Sequence, residues 1–160
     1  MPLYILDASA VIALEEACLN AGLEFDEVTD VLTDLAIAKD LACPPVVLRQ
    51  CREFGDGDGG TRWLKGVSGH FAGIADPWEY LETVLAACPT LINADDPNES
   101  PQATVLALAL YRAQTRTDVT IVTDQWVDMP GRTALGPAAS LVRVQAITPD
   151  ALVSAIANSA

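Results

Sequence analysis

The sequence predicts an α/β fold: a single domain over residues 1–160, built as a three-layer sandwich with a central, mostly parallel sheet flanked by helices. Three observations predict it. Two apolar or β-branched runs, "YIL" and "VTIVT", read as buried strands that each end at an acid. Segments of helical periodicity, several with a cap residue in front, lie between the strand candidates. The alternation runs through the whole chain without an internal repeat or a linker.

Leu3 to Leu6 forms the first strand. Ser9 is placed to cap a helix over Ala10 to Asn20. A second helix fits Asp26 to Asp40, with Val28, Val31, Leu32 and Leu35 on one face and Glu24, Asp26, Glu27, Asp30 and Asp34 towards water. "LACPP" reads as a short strand and a turn, and Pro44-Pro45 then starts the helix "VVLRQCREF". The run Gly55 to Gly60 reads as a mobile loop; its two aspartates are too few for a calcium loop. Asp76-Pro77-Trp78-Glu79 begins a helix that continues to about Ala87.

"SPQATVLALALYRAQT" is the clearest helix. Ser100 caps it, Pro101 takes its first turn, and the nearly all-apolar stretch from Ala103 to Leu110 marks it as central and buried. Residues 119 to 123 form a strand that runs into Asp124. A last strand fits Val142 to Ile147, and Thr148-Pro149-Asp150 caps a final helix.

Hydrophobic residues make up 51% of the chain and charged ones 19%, a composition that folds rather than stays disordered. The net charge of −13 disperses the chain and repels phosphate backbones unless basic patches or metal ions intervene. Four cysteines without a C-x-x-C pair, and a lone histidine at position 70, argue against zinc. Cys43 and Cys88 lie in apolar surroundings and read as core residues. No run is long enough for a membrane span, and no leader pattern opens the chain. A reducing cytoplasm is the expected compartment.

Asp7 and Asp124 share one position: the exit of a buried strand. In an open parallel sheet the carboxyl ends of the strands border the ligand crevice. Asp95, Asp96 and Glu99 precede the central helix, and Glu53 lies late in the helix after the prolines. Carboxylates gathered at one place repel unless protonated or bridged by a cation, and an all-oxygen donor set suits Mg²⁺ or Mn²⁺. Such ions serve phosphodiester hydrolysis, and they reverse the local field that would exclude RNA. Each acid also has a plain role open to it: Asp7 as a helix cap, Asp95, Asp96 and Glu99 as partners of a helix dipole, and Glu53 as a partner of Arg49.

At these residues the chain resembles the PIN-domain family of metal-dependent nucleases, which includes the ribonuclease toxins of toxin–antitoxin pairs. The resemblance rests on "YILDASAVIAL", "CPPVVLRQCREF", "NESPQATVLALAL" and "VTIVTDQW", in that order. It implies an endoribonuclease that leaves a 3′-hydroxyl and a 5′-phosphate. Asp7, Glu53, Glu99 and Asp124 would be catalytic, and Asp7, Asp96, Glu99 and Asp124 would be the Mg²⁺ or Mn²⁺ ligands. It also implies RNA as substrate, an antitoxin protein as partner, and a homodimer.

The family's remaining acids would fall near Gln50, Gln102 and Gln125, each with an acid within one turn. A glutamine carbonyl can still face a hard cation. The alternative is a degenerate, non-catalytic PIN-like module that binds protein or RNA. A receiver-like domain phosphorylated on Asp7 is disfavoured, because no Lys follows a late strand as that chemistry requires. Substrate contacts are expected from Ser9, Arg49, Arg52, Arg62 and Trp63, with Lys65 and Arg132 nearby and Trp63 as a platform for an unpaired base. The plain reading of that last group is surface and edge packing.

Overall fold

Leu3–Leu6 (β1) and Val119–Val122 (β3) are buried along their whole length, as the central strands of a parallel sheet must be. The computed structural model describes residues 2–55, 57–71, 78–91, 101–128, 130 and 132–159. Two more strands complete the sheet, Leu41–Ala42 (β2) and Gln145–Ile147 (β4). The order is β2-β1-β3-β4 and every pairing is parallel, with Leu6 opposite Val122 at the carboxyl end of the central pair.

Among the described residues, eight α-helices flank the sheet: α1 (Ala8–Ala21), α2 (Phe25–Ile37), α3 (Pro45–Phe54), α4 (Gly59–Val67), α5 (Trp78–Ala87), α6 (Pro101–Ala113), α7 (Leu135–Leu141) and α8 (Pro149–Ser159). The chain steps outward from β1 to β2, then back past β1 to β3 and on to β4. Right-handed crossovers send helices from the two directions to opposite faces. The packing agrees: α1, α2 and α8 lie against one another, while α6 packs with α5 and α7. The reversal falls between β1 and β3. No described helix is long and apolar enough to cross a membrane.

Several expected boundaries shift, each for a local reason. The cap of α1 is Asp7, not Ser9: its backbone is extended and its carboxylate accepts the Ala10 N–H, so the helix begins at Ala8. Gly22, at φ 69°, stops α1 in the left-handed conformation that its missing side chain allows, and Leu23 N–H returns to the Cys18 carbonyl. The second helix ends at Ile37, short of Asp40, because Lys39 turns to φ 66°.

The glycine run is not a free loop where it is described. Asp58 caps α4 through the Thr61 N–H and hydroxyl, and Gly59 and Gly60 form the buried first turn. A Cβ on Gly60 would strike the Val11 carbonyl of α1, and one on Gly59 the Glu15 carboxylate. These glycines therefore serve close helix–helix approach. The last strand is shorter than expected, Gln145–Ile147 rather than Val142–Ile147, and "LGPAASL" ahead of it is the helix α7. Thr148 does cap α8, accepting from Ala151 N–H. The proposed caps Asp76 and Ser100 lie outside the described residues, as does Asp56.

Candidate functional site

The reversal of winding places the carboxyl ends of β1 and β3 side by side, and this is where open α/β sheets bind ligands. Asp7 and Asp124 both belong to that rim. Asp7 follows β1 directly, and its N–H extends the ladder by donating to the Val122 carbonyl at 3.2 Å. Its side chain is 4% exposed. An ionised carboxylate so deep is costly unless hydrogen-bonded, and Asp7 has three donors. Ser9 Oγ and Ala10 N–H each approach Oδ1 at 2.8 Å, and Thr123 Oγ1 approaches Oδ2 at 2.6 Å.

Each of the two hydroxyls both donates and accepts. Ser9 Oγ donates to Asp7 and accepts from Asp124 N–H at 2.9 Å, while Thr123 Oγ1 donates to Asp7 and accepts from Gln125 N–H at 3.1 Å. Each hydroxyl has one proton, so with both given to Asp7 the 3.3 Å approach of Ser9 Oγ to Thr123 Oγ1 is a contact without a proton between them. Asp7 thus ties the start of α1 to the turn after β3. A carboxylate offers about four acceptor positions, so one on Oδ2 is left over. Burial pushes the Asp7 pKa above its ordinary value and the Asp124 charge adds to this, against the pull of the Thr123, Ala10 and Ser9 donors.

Asp124 is exposed, one residue beyond Thr123. Its pKa is also raised, by partial desolvation and then by the charges of Asp150 on α8 and Glu16 on α1. Both carboxylates therefore sit in surroundings that resist their ionisation. Beside them Gln102, 3% exposed at the start of α6, donates through Nε2 to Gln125 Oε1 at 3.2 Å. Trp126 is fixed by its Nε1–H to the Thr123 carbonyl at 2.7 Å, with its ring over Gly136, where no side chain would fit. Asp124, Gln125, Trp126 and Arg132 border an open recess of about 310 Å³.

The other expected site residues divide. Ser9 is part of the network. Asp95, Asp96 and Glu99 lie outside the described residues, although Glu99 is only three positions before Gln102 in sequence. Glu53 stands exposed on α3 and does not join Asp7 and Asp124: among the described residues no three acids, cysteines or histidines form a group able to hold a metal ion.

Trp63 is tied down rather than presented as a platform. Its Nε1–H donates to Thr33 Oγ1 on α2 at 3.0 Å and its ring packs on the core. Arg49, Arg52 and Arg62 are exposed on α3 and α4, with Arg62 reaching the Gly57 carbonyl at 3.1 Å. Sequence reasoning missed Thr123 as a partner of Asp7 and missed the burial of Cys51; Cys43 is core, as expected, and the Asp7 charge acts on both thiols. Cys43 Sγ donates to the Leu6 carbonyl at 3.4 Å, and burial pushes the Cys51 thiol up to about 12. Thr123 could have been found from its place directly before the acid; Cys51 could not, because a helical cysteine carries no mark of what it faces.

What the described residues offer a cation is two carboxylates, one open position on Asp7, and the carbonyl of Gln125. Mg²⁺ keeps several waters and is usually held by one or two carboxylates together with substrate phosphates. No protein-family model, curated protein or solved structure matches the chain. The class that fold and site define is an α/β protein with a four-stranded all-parallel sheet and an acidic centre at its point of reversal.

Proposed function

We propose that the protein is a Mg²⁺- or Mn²⁺-dependent endoribonuclease of the PIN type, with Asp7 and Asp124 as metal anchors. The observation that carries this reading is their shared position at the ends of the two adjacent central strands, where the winding of the sheet reverses. Asp7 and Asp124 would hold the divalent ion, which would supply an activated water and offset charge on the scissile phosphate. The chain's own residues do the rest. Ser9 and Thr123 hold the Asp7 carboxylate in one orientation. Arg132, which lines the same recess as Asp124, is proposed to meet a phosphate oxygen. Glu99 and Asp96 are proposed to complete the acid set from the segment before α6. RNA is the substrate of this reading, and an antitoxin and a second copy of the chain are its partners.

A second reading, a non-catalytic PIN-like module that binds protein or RNA, is favoured by the neutral Gln102–Gln125 pair at the same rim. Calorimetric titration with Mn²⁺ separates the two. Binding that disappears in both Asp7→Asn and Asp124→Asn, together with cleavage of single-stranded RNA that EDTA stops, supports the nuclease. A folded protein that takes up no Mn²⁺ at millimolar concentration rejects it.

A further inference from the structure

A second recess opens on the same rim, on the β2 side of Asp7. Its volume is about 280 Å³. The walls are Pro44, Leu48, Leu64 and Phe71, and Arg49 and Arg52 stand at its edge. The two arginines are three positions apart on α3 and so share one face of it. Cys43 also borders the recess, and its thiol donates to the carbonyl of Leu6, the residue before Asp7. Recess and acid centre are therefore neighbours.

We infer that this recess binds one unpaired nucleotide, its base against the apolar wall and its phosphate on Arg49 and Arg52. Charge is the first argument. The chain carries −13 overall, yet Arg49, Arg52, Arg62 and Lys65, four of its nine basic residues, fall within α3 and α4. Two of the four, Arg49 and Arg52, line the recess, so an anion at its mouth meets positive charge. Size is the second: the volume lies just under the usual range of small-ligand sites, which suits a single base with its phosphate at the edge and not two stacked bases. The lining is the third. An apolar wall with guanidiniums at its rim suits a planar body that carries an anionic group. Ser68 brings a hydroxyl to the lining, but its proton is already given to the Lys65 carbonyl at 2.9 Å. With so few groups to read a base edge, the site takes purines and pyrimidines alike. The inference deepens the nuclease reading by naming how its substrate is held, but it needs no metal.

The test is titration of the whole protein in EDTA with adenosine 5′-monophosphate, followed by amide NMR shifts. Adenosine, inorganic phosphate and octanoate are the comparison probes. The nucleotide should bind at least about tenfold more tightly than inorganic phosphate or adenosine, because each of those lacks one half of the recognition. The double variant Arg49→Gln/Arg52→Gln should weaken it roughly three- to tenfold through loss of the charge-assisted bonds, while Arg143→Gln should not. The inference is overturned if phosphate alone binds as well, if octanoate matches the nucleotide, or if the double variant changes nothing. Nucleotide binding without Mn²⁺ uptake would sink the catalytic reading and leave this one standing. Mn²⁺ uptake without nucleotide binding would do the reverse.

Discussion

Thr123 donates its hydroxyl proton to Asp7 at 2.6 Å, joining two residues 116 positions apart. The bond links the exits of β1 and β3 and is buried. Replacing Thr123 by Val keeps the shape and removes the donor, leaving the Asp7 Oδ2 atom without a partner. The expected cost is about 1–3 kcal/mol in urea unfolding at neutral pH. Thr123→Ser should recover most of it. A valine variant as stable as the parent would show that the bond adds nothing.

The pH dependence of stability has a sign set by Asp7. Burial, with the Asp124 charge, holds its folded pKa above the ordinary 3.8. The folded state therefore keeps the proton where the unfolded state has released it. The stabilising contribution is complete below the unfolded value and is lost as pH rises through the folded one. Stability attributable to Asp7 should thus fall as pH climbs from about 3.8. Asp7→Asn should flatten that part of the profile in denaturant melts at several pH values. A profile unchanged by Asp7→Asn would assign the slope to other groups.

A divalent ion should reverse this trend. It competes with the proton at Asp7, so Mg²⁺ or Mn²⁺ should raise the melting temperature more at pH 8 than at pH 5. Free ion at about 100 times its Kd adds roughly 2.7 kcal/mol. Trp126, bonded to the Thr123 carbonyl, should report the same event through its fluorescence. Asp124→Asn should abolish both signals while leaving the protein folded. An equal thermal shift in that variant would place the ion elsewhere.

Gly60 and Gly66 sit in one helix with opposite expectations. A methyl group at Gly60 meets the Val11 carbonyl, whereas at Gly66 nothing lies within 4 Å. Gly60→Ala should cost about 1–3 kcal/mol by forcing α4 away from α1. Gly66→Ala should gain up to about 1 kcal/mol by lowering the entropy of the unfolded chain. Paired denaturation curves decide this, and a neutral Gly60→Ala would mean that α4 packs more loosely than its geometry indicates.

What could be read in advance was whatever depended on local pattern. β1 needed only four apolar residues followed by an acid, and α6 needed only a proline and a nearly all-apolar run. The burial of Gly59 and Gly60 depends instead on the path of α1, fifty residues earlier, so the same letters that suggest freedom of motion mark close packing. α7 was hidden because Gly136 and Pro137 look like a turn; in the first turn of the helix the missing N–H of Pro137 costs no helical bond, and Gly136 leaves room for the Trp126 ring. Within the site, the two acids at strand ends were legible from position alone. The attachment of Trp63 to Thr33 and the exposure of Glu53 follow from how helices rotate against one another, which a linear spacing does not contain.

Asp7 closes the first turn of α1 as well as facing the crevice. That double employment has an evolutionary corollary. A relative without the proposed activity would still gain from a capping side chain there, so an aspartate at position 7 is no witness to that activity. Asp124, exposed and contributing only its backbone N–H to the network, has no comparable duty. On the proposed nuclease reading, the residue at position 124 is what separates relatives that keep the metal site from relatives that have lost it.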